Sequence, residues 1–127
     1  EAVKRMSTRH GGQGGVIVNV SSSAVRQGSP AMYVDYAASK GAIDVFTSGL
    51  SKEVAAEGVR VCGVRPGITD TGIHATGGEP DRVARLGPTL PMGRAAQPQE
   101  VAQAIAWLLS DLASYTAGAI LDVTGGR

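Results

Sequence analysis

Two residues in the first third of this sequence could move a proton between a side chain and an alcohol oxygen. Tyr36 and Lys40 are four positions apart, so on a helix they lie on one face, one turn from each other. A free tyrosine has a pKa of about 10 and is a poor base at neutral pH. A nearby ammonium stabilises the phenolate and lowers that pKa, so the phenol can give a proton to a substrate oxygen or take one from it.

Serine hydroxyls precede this pair at the end of a predicted strand. Residues 16–20 form a β-branched run that predicts a short buried strand, and Ser21, Ser22 and Ser23 follow it directly. A hydroxyl at that position could hold the same substrate oxygen as the phenol. Oxidation of an alcohol also needs a hydride acceptor, which no side chain supplies, so this chemistry implies a cofactor.

The elements around these residues predict a parallel α/β sheet. Further strands are predicted at 59–64 and 119–123, and helices at 32–57 and from Pro98 onward. Strands that alternate with helices favour parallel pairing with right-handed crossovers. The serines and the segment 66–71 then lie at carboxyl ends of strands, where such sheets bind ligands.

The sequence also predicts details of the long helix and of the segment that follows the second strand. In the long helix, small and apolar residues recur at helical spacing, namely Ala38, Ala42, Val45, Gly49 and Val54. Gly58 is placed to end that helix. The segment 68–97 is rich in glycine, proline and threonine and is predicted to be irregular, with a short helix at 81–86.

This ordered set of motifs resembles the classical type of the short-chain dehydrogenase/reductase family. The matching elements are the strand that ends in Ser22, the Tyr36-x-x-x-Lys40 motif, the Pro-Gly-x-x-x-Thr segment at 66–71 and the final strand region from 115 to 126. The resemblance covers essentially all 127 residues. It implies the C-terminal half of a Rossmann-like, doubly wound α/β domain with three strands and long crossover helices.

The resemblance also implies roles for the three polar residues. Tyr36 would be the general acid and base, Lys40 would lower its pKa and hydrogen-bond the nicotinamide ribose, and Ser22 would orient the substrate oxygen. Family members usually place the serine thirteen positions before the tyrosine, which selects Ser23. The strand motif selects Ser22, which is preferred because the serine must stand at the strand end while a loop can absorb one extra residue.

Further contacts to cofactor and substrate follow from the same resemblance. The Pro66-Gly67 turn would let the backbone of Ile68 approach the nicotinamide carboxamide, and the Thr71 hydroxyl would add a contact. His74 lies in the segment that the family uses as a substrate lid, and is a less favoured substrate contact. The cofactor is expected to be NAD or NADP, with NADP slightly favoured.

Part of the family's domain has no counterpart in these residues. Nothing matches the glycine-rich turn that cradles dinucleotide phosphates, because the glycines at 11–15 precede a strand instead of leading from a strand into a helix. The start at Glu1 reads as mid-helix. Residues 1–127 are therefore interpreted as the C-terminal part of a single NAD(P)-binding domain whose N-terminal half is absent.

Composition argues against several other classes of protein. The formal net charge is +1 and the basic residues are scattered, which disfavours nucleic acid and membrane surfaces as partners. No apolar stretch approaches the roughly 20 residues needed to span a bilayer. A single cysteine, Cys62, allows no internal disulfide or multi-cysteine metal site and fits the cytoplasm, so no metal is expected. Its position in a strand suggests a small buried hydrophobe.

These observations together predict an NAD(P)-dependent oxidoreductase that interconverts a secondary alcohol and a carbonyl in a small molecule. Family members commonly form homotetramers or dimers, so a homo-oligomer is expected. One alternative is a catalytically silent fragment or structural oligomerisation unit of such an enzyme. A remote alternative is a serine hydrolase using Ser22, His74 and an aspartate, which the lack of a Gly-x-Ser-x-Gly elbow disfavours.

Overall fold

The computed structural model describes residues 1–127 and contains one parallel three-stranded sheet. The strands are β1 (Gly15–Val20), β2 (Val59–Pro66) and β3 (Ile120–Val123), in the spatial order β1-β2-β3. In register, Val18 lies opposite Cys62, and Val64 lies opposite Leu121. The predicted α/β class with parallel strands is therefore confirmed.

Six α-helices connect and cover these strands: α1 (Ala2–Met6), α2 (Ala24–Gln27), α3 (Val34–Val54), α4 (Ile73–Thr76), α5 (Arg82–Leu86) and α6 (Pro98–Leu109). The long helix is shorter than predicted, because its last turn, Ala55–Glu57, is a 3₁₀ turn. Gly58 then ends it with a positive φ of 77°, as expected for a glycine after a helix. The expected short helix is present as α5, whereas α2 and α4 were not predicted.

Helices cover both faces of the sheet because the β2 side chains alternate between them. Val59 and Val61 pack with Val54 of α3 on one face. Cys62 and Val64 pack with Leu108 of α6 on the other. Cys62 is fully buried, which confirms the prediction of a small buried residue, and burial raises the pKa of its thiol. No helix is both long and apolar enough to cross a membrane.

The face that α3 turns to the sheet is small and polar. Its buried residues are Ala37, Asp44, Thr47, Ser51 and Val54. Of the small and apolar residues that the spacing singled out, only Val54 is buried, and Val45 is 75% exposed. Thr47 instead accepts a hydrogen bond from the side chain of Asn19, at 2.9 Å, so that asparagine ties β1 to α3. Helix and sheet are held here by polar contacts as well as apolar ones.

The ends of β2 and β3 lie unusually close together at a glycine. A Cβ atom on Gly67 would lie 2.8 Å from the Cα of Thr124, which no side chain tolerates. The amide of Gly67 donates to the carbonyl of Val123 at 2.9 Å. This close approach fixes where the chain leaves β2, at the carboxyl edge of the sheet that bears the candidate site.

Candidate active site

Helix α3 presents Tyr36 and Lys40 at the carboxyl end of β1. The Lys40 ammonium donates a hydrogen bond to the carbonyl of Val20, the last residue of β1, at 2.9 Å. The same nitrogen lies 5.7 Å from the centre of the Tyr36 ring. Tyr36 is 38% exposed, so the pair remains open to a bound molecule. Lysine and tyrosine therefore form a pair that is anchored to the sheet.

Three consecutive serines follow β1 and differ in their surroundings. The hydroxyl of Ser21 is buried and donates to the carbonyl of Lys40 at 3.2 Å, so it ties the strand end to α3. The hydroxyl of Ser22 is half-buried and accepts from the Ala24 amide at 3.1 Å, which leaves its proton free to donate. Ser23 is 8% exposed, and its backbone amide donates to the carbonyl of Pro66 at 3.0 Å.

A series of ion pairs links the helices to the strands near this edge of the sheet. Arg65, just before the Pro66-Gly67 turn, donates to Asp44 of α3 at 2.8 Å and contacts Asp122 of β3 at 3.4 Å. Arg26 of α2 pairs with the same Asp122 at 2.7 Å. Burial opposes the charged form of Arg65, but its two carboxylate partners outweigh it and raise its pKa. These ion pairs connect four elements, α2, α3, β2 and β3.

One cavity of about 580 Å³ gathers the residues that the sequence pointed to. All nine predicted catalytic, cofactor and substrate residues line it: Ser22, Ser23, Tyr36, Lys40, Pro66, Gly67, Ile68, Thr71 and His74. Residues 70–96, here called the lid, supply one side of its wall, and the ends of β1 and β2 with α3 supply the other. The arrangement brings a phenol, an ammonium and serine hydroxyls to one hollow, a set suited to proton exchange with a bound oxygen atom.

The lid contributes residues that the sequence did not single out. Glu79 and Arg82 line the cavity together with Tyr33, from the loop before α3. The Tyr33 hydroxyl lies 3.4 Å from a carboxylate oxygen of Glu79, and the Arg82 guanidinium lies 5.5 Å from the Tyr33 ring centre. A Glu-x-x-Arg spacing is common on exposed helices, so no local signal distinguished these residues in advance.

The histidine of the lid is held by the lid itself. Nε2 of His74 lies 2.8 Å from the carbonyl oxygen of Thr69, and it therefore carries the proton and donates it. The lid is further packed by a small cluster in which Ile68 contacts Leu90 and Ala95. His74 lines the cavity, but this nitrogen is committed to the backbone.

Comparison with known proteins identifies the chain's family. A family model described as "Enoyl-(Acyl carrier protein) reductase" matches residues 1–127. "Uncharacterized oxidoreductase YgfF" of Escherichia coli (strain K12) is 63% identical over 127 residues, which are 100% of this chain and 51% of that protein. The chain belongs to the short-chain dehydrogenase/reductase family. It spans about half the length of the curated relatives it matches.

Solved structures of short-chain dehydrogenases/reductases share the fold. The short-chain dehydrogenase/reductase "Glucose/ribitol dehydrogenase" from Brucella melitensis superposes with a TM-score of 0.79 at 35% identity, covering 87% of this chain and 44% of that one. The 3-ketoacyl-(acyl-carrier-protein) reductase from Brucella melitensis, solved in complex with NADH, gives a TM-score of 0.80 at 34% identity, covering 91% of this chain and 45% of that one. The parallel sheet with its helices is therefore the short-chain dehydrogenase/reductase fold.

Proposed function

We propose that this chain carries the catalytic residues of an NAD(P)-dependent oxidoreductase that interconverts a secondary alcohol and a carbonyl. The observation that carries the proposal is the shared cavity: the Tyr36 ring, with the Lys40 ammonium 5.7 Å from its centre, opens into the same hollow as Ser22. That combination offers a proton donor and acceptor, a cation beside it and a hydroxyl to hold the substrate oxygen.

Each residue has a stated task in this proposal. Tyr36 gives its proton to the carbonyl oxygen during reduction and takes it back during oxidation. Lys40, oriented by its bond to the carbonyl of Val20, stabilises the phenolate that remains. Ser22 donates to the same substrate oxygen, since its hydroxyl proton is not used by the protein. Ser23 stays the alternative donor because it lines the same cavity.

The residues at the sheet edge fit the nicotinamide end of a dinucleotide. The supporting observation is that the tight Pro66-Gly67 turn, Ile68 and Thr71 line the same cavity as Lys40. These groups would hold the ring, its carboxamide and its ribose. When bound, the cofactor would supply or accept the hydride. The choice between NAD and NADP stays a prediction.

The two alternatives lead to different expectations. The hydrolase needs an aspartate beside His74 as well as a serine, but no aspartate lines the cavity, and Nε2 of His74 donates to the carbonyl of Thr69. The silent fragment shares every contact described above and differs only in its inability to bind cofactor. Cofactor binding is therefore the observation that separates the silent fragment from the enzyme.

We also propose that the whole protein forms a homo-oligomer in the cytoplasm. Large apolar side chains stand exposed on the outer face of α3, where Val45 is 75% exposed and Phe46 56% exposed. Others, at Leu112 and Tyr115, follow α6. Such surfaces are typical of protein interfaces. Sedimentation of the full-length protein would test this, and a monomer at all concentrations would contradict it.

The test of the oxidoreductase is a titration with NADH and NADPH, followed by nicotinamide fluorescence. We expect saturable binding by the protein in the full length that its gene encodes, and weaker binding by the Lys40→Met variant. Lys52→Met, on an exposed part of the same helix, is the matched control and should bind as the unaltered protein does. Absence of binding by the full-length protein would overturn the proposal. If the full-length form binds NADH or NADPH and residues 1–127 do not, only the shorter chain is catalytically silent.

A further inference from the structure

A second, smaller cavity adjoins the one that holds the candidate catalytic residues. It has a volume of about 390 Å³, and four of its six lining residues also line the larger cavity: Gln27, Ser29, Arg82 and Arg127. These four, here called the shared wall, include two arginines. No carboxylate side chain lines the smaller cavity. The shared wall is therefore cationic and polar, and the smaller cavity that it lines includes none of Ser22, Tyr36 and Lys40.

Arg82 is the most firmly held member of this wall. Its side chain is 16% exposed, and its Nη1 atom is completely buried, 3.1 Å from a carboxylate oxygen of Glu79 but without a hydrogen bond. Its guanidinium also lies against the Tyr33 ring. The guanidinium is thus held between Glu79 and the Tyr33 ring, and the residue lines both cavities. A fixed, planar guanidinium is suited to bidentate recognition of a carboxylate.

The charges around Arg82 do not cancel. Glu79 is the one carboxylate that lines the larger cavity, and both of its oxygens are engaged, one near Arg82 and the other by Arg85 of the same helix. Two arginines share one negative charge, so the group keeps a net positive charge. Asp81, the next acidic residue of the lid, is exposed and lines neither cavity. The other cations that line the larger cavity are Arg127, also in the shared wall, and Lys40, whose ammonium donates to the carbonyl of Val20.

We propose that Arg82 is a specificity-determining residue that binds a carboxylate on the substrate, away from the carbonyl that is reduced. This inference rests on the proposed oxidoreductase function, because it takes Tyr36 and Ser22 as the groups at the reacting end. The substrate class is then a small oxo acid or hydroxy acid. The guanidinium holds its carboxylate against the shared wall, and the apolar lining contributed by Ile68 and Ile73 contacts the carbon skeleton between the two ends.

The test compares oxo acids with their neutral methyl esters, using the full-length protein. Suitable acids are 4-oxocyclohexanecarboxylate and 4-oxopentanoate, each compared with its methyl ester, so that the ketone and the carbon skeleton are matched and the ester differs by the lost charge and one added methyl group. We expect kcat/KM for the acid to exceed that for the ester by roughly tenfold or more, with the difference mainly in KM. The same pairs are titrated by ligand-observed NMR without turnover, which reports binding independently of the reaction.

Variants of the two neighbouring arginines make the test specific. Arg82→Met should abolish the preference for the acid, and Arg82→Lys should restore part of it. Arg85→Met is the matched control, since it removes the same charge from the same helix and the same Glu79 but does not line the cavity. It should keep the preference.

The outcomes separate this inference from the proposed function. If the unaltered protein reduces acid and ester equally well, the oxidoreductase stands and the role of Arg82 is wrong. If it turns over neither and binds neither NADH nor NADPH, but binds the acids with binding lost only in Arg82→Met, the carboxylate site stands and the oxidoreductase fails. If neither acid nor ester binds, or if Arg85→Met and Arg82→Met behave alike, the carboxylate site is overturned.

Discussion

The two walls of the cavity are built in different ways. The proposed catalytic residues Ser22, Tyr36 and Lys40, with the Pro66-Gly67 turn, form what is here called the catalytic wall. It is anchored to the carboxyl ends of β1 and the largely buried β2 and is braced by the Arg65 ion pairs. The lid, residues 70–96, consists of short helices and turns that are mostly exposed. It contacts the rest of the molecule through a few polar side chains, the small apolar cluster around Ile68 and backbone hydrogen bonds such as that from the Met92 amide to the carbonyl of Gly125. A rigid wall suits chemistry that needs fixed geometry, whereas a loosely held wall can change with the substrate.

The largest effect that this comparison predicts is on the catalytic wall. Lys40→Met removes both the cation beside the phenol and the bond to the carbonyl of Val20. We expect kcat/KM to fall by about 100-fold or more, while circular dichroism shows an intact fold. Activity within a few-fold of the unaltered protein would show that this lysine has no part in the reaction.

The ion pair between Arg65 and Asp44 should contribute to the free energy of unfolding. Arg65→Met leaves Asp44 with a side chain only 9% exposed and no cationic partner, so the free energy of unfolding should fall by about 3 kcal/mol. Urea denaturation measures this change. Replacing both partners, as Arg65→Met with Asp44→Leu, should recover much of the loss. Arg85→Met in the lid, whose arginine is 57% exposed, should cost less than about 1 kcal/mol. Equal losses from the two arginines would remove the distinction between the walls.

A change in the lid should alter substrate affinity more than turnover. His74→Ala removes the hydrogen bond to the Thr69 carbonyl, worth about 1 kcal/mol, so KM should rise by roughly fivefold. We expect kcat to stay within about twofold, because the histidine nitrogen that contacts the backbone takes no part in proton transfer. Steady-state kinetics separates the two constants. A collapse of kcat with an unchanged KM would instead assign His74 to the chemistry.

The smallest predicted effect concerns the ion pair between Arg94 of the lid and Glu100 of α6. The Arg94 guanidinium, followed by the backbone amide of Gln97, lowers the pKa of Glu100 from its ordinary value of 4.5 to about 2. Because the pKa is lowered in the folded state, the carboxylate stabilises the fold above pH 4.5. That contribution is lost as the pH falls from about 4.5 to about 2.

A matched variant isolates this carboxylate from the others that titrate in the same range. The stability difference between the unaltered protein and Glu100→Gln should be small at neutral pH and should shrink towards pH 2, as measured by thermal unfolding at each pH. A difference that is the same at pH 7 and pH 2 would contradict the assigned role of the Arg94 pair.

The catalytic wall could be predicted from the sequence because its signals are local. Tyr36 and Lys40 share a helix face by their spacing alone, and the β-branched run and the Pro66-Gly67 turn mark strand ends. Parallel pairing then places these ends at one edge of the sheet. The family resemblance supplied the roles, which residue spacing could not.

The features that the sequence did not predict depend on contacts between residues that are far apart in the chain. The inner face of α3 was not predicted, because Asp44 and Thr47 look like surface residues until Arg65 and Asn19 are seen opposite them. Arg82 carried no signal either, since its place in the cavity depends on how the lid folds back towards Tyr33. Burial of a polar residue is decided by its partner, and partners far apart in sequence leave no periodicity.

Two tyrosines in one cavity allow the most direct test of the central claim. Tyr36 and Tyr33 both line the hollow, but only Tyr36 has the Lys40 ammonium beside its ring. In the full-length protein, reduction of a carbonyl substrate by NADH or NADPH should fall by at least about 100-fold in Tyr36→Phe and change by only a few-fold in Tyr33→Phe. Full activity in Tyr36→Phe, or equal losses in the two variants, would contradict the assignment of Tyr36 as the acid and base.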